Sequence, residues 1–149
     1  MLKDEWEVVR AAAARAAAAV CEQGDAFALM ALDRTLEDEA SSVRAAVIAA
    51  LHTLGTRGDA LVADALVRTL SKDAETANRI AVVEALEHLA PRGHPGVVAN
   101  LRVLTSSPST TLRHLAVRGL ATWAAETRDL ASSQALVGSL TSDDRKVHR

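Results

Sequence analysis

The side chains able to do chemistry in this sequence are few and scattered. Histidine occurs at His52, His88, His94, His114 and His148. Imidazole is suited both to proton transfer near neutrality and to metal binding. None of these histidines pairs with another His, a Cys or an acid at a spacing familiar from zinc sites. Glu84 and His88 stand four apart, which places them on one face of a helix. Two ligands are too few for a metal site, and a solvated ion pair is the plainer reading. No metal and no cofactor is expected. Cys21 is the sole cysteine, so no intramolecular disulfide can form. It falls at a small-residue position where a helix ends, which suits a packed thiol better than a nucleophile. G-x-S-x-G, phosphate-loop and G-x-G-x-x-G patterns do not occur. The expectation is a protein that is not an enzyme.

Bulk composition narrows the classes further. Hydrophobic residues make up 49% and charged residues 24% of 149 residues, enough for a folded domain with a real core. The net charge of −2 sets up no broad field for phosphate backbones or acidic membranes. Aromatics are 2% of the chain and Tyr is absent, which disfavours sites that stack bases or sugars on rings. No apolar run approaches the roughly 20 residues needed to span a bilayer. The alanine-rich start is preceded by Asp4, Glu5 and Glu7, unlike an acid-poor transit peptide. An intracellular location, with no nucleic acid and no membrane insertion, is the expectation.

What must position any functional surface is a repeat. Arginines recur six residues after a small acid or hydroxyl residue: Asp4 with Arg10, Asp38 with Arg44, Asp73 with Arg79, Ser107 with Arg113, Asp143 with Arg149. Their spacings are 34, 35, 34 and 36. Leu2, Leu36, Leu70, Leu104 and Leu140 precede those acids by two or three residues, and Gly24-Asp25, Gly58-Asp59, Gly93-His94 and Arg128-Asp129 form another landmark in the same period. Such a period marks an array of stacked supersecondary units.

Each period reads as two antiparallel helices, A and B. Helix B carries apolar or small residues at −1, +2, +3, +6, +7 and +10 from its arginine, as in Val43, Ala46, Val47, Ala50, Leu51 and Leu54. This is the stripe of an amphipathic helix. Asn78 is the polar intruder in that stripe, and Trp123 falls on it. Asp38, Asp73 and Ser107 are placed to cap helix B, with Pro108 at its first position. Helix A is expected over 25–37, 59–71, 94–105 and 129–141, with Phe27, Leu32, Leu36, Leu61, Leu66 and Leu70 among its apolar residues. The whole predicts an all-α fold of about nine helical segments in about four repeats, a single domain over 1–149.

The arrangement resembles HEAT repeats, in particular the phycocyanobilin-lyase type. The likeness is carried by Leu36-Glu37-Asp38 through Val43-Arg44-Ala45-Ala46, Ala49-Ala50-Leu51 and Leu54-Gly55, echoed by Leu70, Asp73, Arg79, Ala85-Leu86 and Leu89. The resemblance implies an α-solenoid superhelix in which the Asp and Arg positions form a polar ladder between repeats. Asp38, Arg44, Asp73 and Arg79 match it, and Ser107 interrupts it. Some HEAT-like enzymes hold iron with His-Glu dyads; Glu87-His88 occurs once and in reversed order, so that chemistry is not expected. The chain reads as starting in the tail of a helix A at Leu2 and stopping early in a helix B. No capping repeat is evident, which suggests a segment of a longer array or cover by another chain.

At 100° per residue, positions +1, +5, +8 and +12 of helix B point away from the core. They include Arg15, Ala45, Ala49, His52, Ile80, Glu84, Glu87, His114 and Arg118. By resemblance, B helices line the concave side. That face is low in relief and mixed in charge, which suits a helix or extended segment of another protein subunit. Trp6 aligns with Ala40, Glu75 and Ser109, and reads either as a contact anchor or as a cover for the N-terminal end. The expected function is a non-catalytic protein–protein interaction scaffold or structural subunit of a larger assembly. The alternative is a phycobilin-lyase-like subunit or chaperone handling a linear tetrapyrrole.

Overall fold

The structure, a computed structural model, describes residues 2–123. They form α1 (Leu2–Val20), α2 (Ala26–Thr35), α3 (Ser41–Leu54), α4 (Ala60–Lys72), α5 (Thr76–Leu89), α6 (Pro95–Leu104) and α7 over 110–123, with no strand among the described residues. The odd-numbered helices are the B helices and the even-numbered ones the A helices. Consecutive B helices pack together, α1 on α3 and α3 on α5, while α4 packs on α5 and α6. The fold is therefore an all-α solenoid of two helical layers. The expected segment 129–141, the landmarks at Arg128-Asp129 and Asp143–Arg149, and the count of nine helices fall outside the described residues.

The core follows the predicted phase of helix B in α3, α5 and α7, but not in α1, where Val9 and Val20 of that stripe are exposed and Ala11 and Ala14 are buried. Val43, Val47, Leu51, Leu54, Val82, Leu86, Leu89, Leu112 and Trp123 are buried. The stripe is wider than six positions. Ile48 and Val83, at +4, are also buried, because a B helix in mid-array packs against its own A helix and a B helix on each side. In α1, Ala11 is buried although its +1 register places it on the outward face; α1 lies directly on α3, where alanine allows close approach. Two helix A residues depart from the expected core. Phe27 is 87% and Leu61 80% exposed, because each sits on the outer side of its helix, away from the buried Leu32, Leu36, Leu66 and Leu70.

The helix starts differ from the capping pattern expected. Leu2 opens α1 itself and is not the tail of a helix A, and Asp4 lies inside that helix. The caps of α3 and α5 are Ala40 and Glu75, neither of which makes a side-chain capping bond. Asp38 and Asp73 stand two residues earlier, and each Oδ1 accepts from the amide two residues ahead, Ala40 N at 2.9 Å and Glu75 N at 2.9 Å. Ser107 repeats the turn, its Oγ accepting from Ser109 N at 3.2 Å. These are Asx-type turns that bring the chain into the helix. Ser109 supplies the α7 cap through Leu112 N, so Pro108 precedes the helix by two residues. The proline at a helix start is Pro95 in α6.

The described A helices all carry side-chain caps. Asp25 accepts from Ala28 N, Asp59 from Leu61 N and Val62 N, and His94 Nδ1 from Val97 N. Because His94 Nδ1 accepts there, its Nε2 must carry the proton in the 2.7 Å bond to Asp64 Oδ1. Just before these caps, Gly24 and Gly58 adopt φ of +83° and +87°, the left-handed region that side chains resist. That turn aims their amides at the next repeat: Gly24 N donates to Leu54 O and Gly58 N to Leu89 O, each at 2.7 Å. The glycine landmark of the sequence is thus a backbone staple between repeats.

Candidate interaction surface

Stacking of the repeats is fixed by the ladder. Arg10 Nε and Nη2 donate to the two carboxylate oxygens of Asp38 at 2.6 and 3.0 Å. Arg44 does the same to Asp73 at 2.8 and 3.3 Å. Arg44 Nη1 also donates to Asp38 O and Glu39 O, tying its own repeat's turn to the helix. Bidentate pairing of this kind fixes geometry as well as adding energy. Hydrogen bonding from Arg10 holds the Asp38 carboxyl below its usual range. Burial alone would push Asp73 up, but the bonds from Arg44, the Glu75 amide and Asn78 outweigh it, and the net shift is down.

Asn78, the intruder in the apolar stripe, has a place in this network. It is buried, and its Nδ2 donates to Ser41 O and Asp73 Oδ2, each at 3.1 Å. Its amide satisfies a carboxylate that the low-dielectric interior would otherwise leave under-bonded. The ladder stops where the serine stands. Arg79 has no carboxylate at Ser107 to meet, and its buried Nε has no hydrogen-bond partner.

On this frame the predicted outward residues do reach one surface. Arg15, Ala45, Ala49, Glu84, His114 and Arg118 are exposed, and His52, Ile80 and Glu87 are half-buried. Contacts between neighbouring B helices link α3 to α5 and α5 to α7 along this face. The His52 and His88 rings lie 5.3 Å apart between α3 and α5. Arg118 Nη2 donates to Glu87 Oε2 at 2.8 Å between α5 and α7. This pair raises the Arg118 guanidinium above its usual value. His88 turns to His52, and no hydrogen bond or ion pair joins it to Glu84, so the expected Glu84–His88 ion pair does not form. The face keeps its mixed charge and small side chains.

Apolar exposure lies elsewhere. Trp6 is 61% exposed, together with Val8, Val9 and Val20 on α1. Both readings of Trp6, a contact anchor and a cover for the N-terminal end, are compatible with that exposure. On the A layer, α2 and α4 enclose a cavity of about 420 Å³ lined by Leu29, Met30, Leu61, Val62 and the Asp33–Arg68 ion pair. Phe27 stands exposed on α2 beside it. The groove is not legible in the sequence, where Leu61 reads only as an apolar residue of helix A and Leu29, Met30 and Val62 carry no signal of their own. A second recess of about 490 Å³ follows the ladder past Glu37, Asp38, Arg44, Lys72 and Asp73.

Among the described residues, no group of three His, Cys, Asp or Glu side chains is placed to hold a metal ion. Cys21 is half-buried against the core as a free thiol. No described helix is long and apolar enough to cross a membrane. A comparison with family profiles matches residues 1–87, more than half of the chain, to the family described as HEAT repeats. No curated protein matches the sequence.

Proposed function

The chain belongs to the HEAT-repeat family, and from that premise we propose that it is a non-catalytic, intracellular scaffold that binds another protein subunit along the outward face of its B helices. HEAT repeats generally mediate protein–protein interaction. The observation that supports the choice of face is the exposure of its residues together with the contacts that link α3, α5 and α7 along it. Ala45 and Ala49 are exposed at its middle, flanked by His52, Ile80, Glu84 and Glu87 and ended by Arg15 on one side and His114 and Arg118 on the other. Small side chains at the centre let a partner backbone approach closely, and the polar markers at the ends fix its register.

The test is a partner recovered by pull-down from extract and titrated against two variants. Ala49→Trp is expected to weaken association at least tenfold with the helical signal unchanged. Asp64 is a poor control on helix A because it holds His94, so Arg34→Trp on the outer side of α2 serves instead and is expected to bind normally. A specific observation favours a second reading of the same function. The exposed Phe27, Met30 and Leu61 offer an apolar anchor site on the A layer. If Phe27→Ser abolishes binding and Ala49→Trp does not, the A-layer groove is the working surface. The tetrapyrrole alternative predicts a shifted visible spectrum on mixing with free bilin, and none is expected.

A further inference from the structure

The A layer is closed at one joint and open at the other. Between α4 and α6, His94 Nε2 donates to Asp64 Oδ1 at 2.7 Å, the Ser71 hydroxyl donates to Asn100 Oδ1 at 3.2 Å, and Val67 lies close to Gly96. α4 packs less closely on α2 than on α6. Between α2 and α4, Arg68 Nη2 donates to Asp33 Oδ1 at 2.9 Å at one end of the cavity of about 420 Å³. Leu51 of α3 and Val62 form its buried floor, and Met30 and Leu61, 57% and 80% exposed, stand at its walls.

The charged residues that line this groove are Asp33, Asp59, Asp64 and Arg68. Arg68 is engaged by Asp33, which leaves two carboxylates without a cation of the lining to balance them. Asp59 accepts from the amides of Leu61 and Val62, and Asp64 accepts from a neutral imidazole. Neither set of donors carries a full positive charge. The positive end of α4 offsets part of the Asp59 charge, but such an effect fades within the first turn, and Asp64 lies beyond it. The groove is therefore apolar at its floor and walls and negative at its edge.

We propose that this groove docks a short peptide segment in which a bulky aliphatic or aromatic side chain stands next to Lys or Arg. The apolar side chain would rest on Leu51 and Val62 and take Met30 and Leu61 out of water, while the cation would meet Asp64. At 1.5 Å per residue, the wall from Ala26 to Asp33 is about 10 Å long, the reach of roughly three extended residues. The cavity volume falls at the lower end of the range of ligand sites, about 300–1,000 Å³. An acidic segment would meet Asp59 and Asp64 with Arg68 already taken, so the site selects by sign of charge as well as by apolar contact. The site belongs to the A layer and stands whether or not the B face binds a subunit.

The experiment is fluorescence anisotropy of the full chain at low salt with labelled Gly-Lys-Leu-Phe-Lys-Gly. Two counterparts accompany it, one with Glu for both Lys and one with Ser for Leu and Phe. The first peptide is expected to bind saturably, and each counterpart at least tenfold more weakly. Leu61→Ser is expected to weaken binding at least tenfold with the helical signal unchanged, since that side chain is exposed. Asp59→Asn and Asp64→Asn together remove both charges, yet asparagine still caps a helix and still accepts from His94. This double variant is expected to bind the Lys peptide at least fivefold more weakly. Ala49→Trp on the B face is expected to bind it normally, so failure here and failure of the B-face reading are distinguishable. Absence of saturable binding up to about 1 mM, equal affinity for the Glu peptide, or unchanged affinity in either groove variant would overturn the proposal. So would a peptide-free dimer in sedimentation velocity that Leu61→Ser dissolves, since a second copy would then occupy the groove.

Discussion

At the scale of single residues, adjacent positions on one B helix have opposite fates, and the helical phase decides which. Leu86 on α5 is 1% exposed and packs in the core, while Glu84, two residues earlier, is exposed. Glu87 is a less clean contrast than the sequence suggests, because it holds Arg118 across the joint. Leu86→Ala is expected to cost about 2–5 kcal/mol, from lost transfer energy and a cavity that close packing cannot collapse. Glu84→Ala is expected to change stability by less than about 0.5 kcal/mol. Urea melts of the two variants check this, and similar losses would show that the phase is misassigned. The phase itself is legible in the sequence because apolar side chains recur with the helical period. Asn78 shows what periodicity cannot reveal. Its type reads as a flaw in the stripe, and only the position of Asp73, brought in from the preceding turn, shows that the amide is a hydrogen-bond partner.

At the scale of the element, each joint is made by the ends of helices. Gly55 follows α3, and a Cβ built there would lie 2.7 Å from Leu51 O and 2.9 Å from Leu89 Cδ1 of the next B helix. The carbonyl cannot retreat without loosening the last turn of α3. Gly55→Ala is therefore expected to destabilise the chain by about 1–3 kcal/mol, the usual range for overpacking. Guanidinium melts check the size, and a neutral result would mean that α5 shifts freely against α3. The helices themselves were legible, including the start of α6 at Pro95. Their caps were only half so. An acid six residues before an arginine looks like an N-cap, but the arginine of the preceding repeat competes for the same carboxylate and the helix begins further on. The sites of exposure on helix A were not legible either. Phe27 and Leu61 have core-type side chains, and nothing local in the sequence says that they face outward.

At the scale of the whole molecule, a solenoid is a chain of nearest-neighbour joints, so its stability need not respond uniformly to a change of conditions. The first two joints carry Asp38 and Asp73, both with carboxyls held below their ordinary range. A group whose folded pKa is depressed binds fewer protons in the native state than in the unfolded one. Its contribution is fully present above the unfolded value of about 4 and is lost as pH falls below that through the folded value. The α5–α7 joint has Ser107 in the equivalent place, and the Glu87–Arg118 pair there joins an exposed guanidinium to a half-buried carboxylate within reach of solvent screening. Acidification should therefore loosen the joints unequally. Between pH 6 and pH 3, hydrogen-exchange protection, corrected for the intrinsic pH dependence of exchange, is expected to fall most in α1, α3 and the start of α5, and least in α7. Adding Ser107→Asp should bring α7 into line, with a gain in protection at pH 6 that disappears at pH 3. A uniform loss along the wild-type array would mean that acid acts through net charge and not through the ladder. A loss greatest in α7 would mean that the joint without a carboxylate is held by some other titrating group.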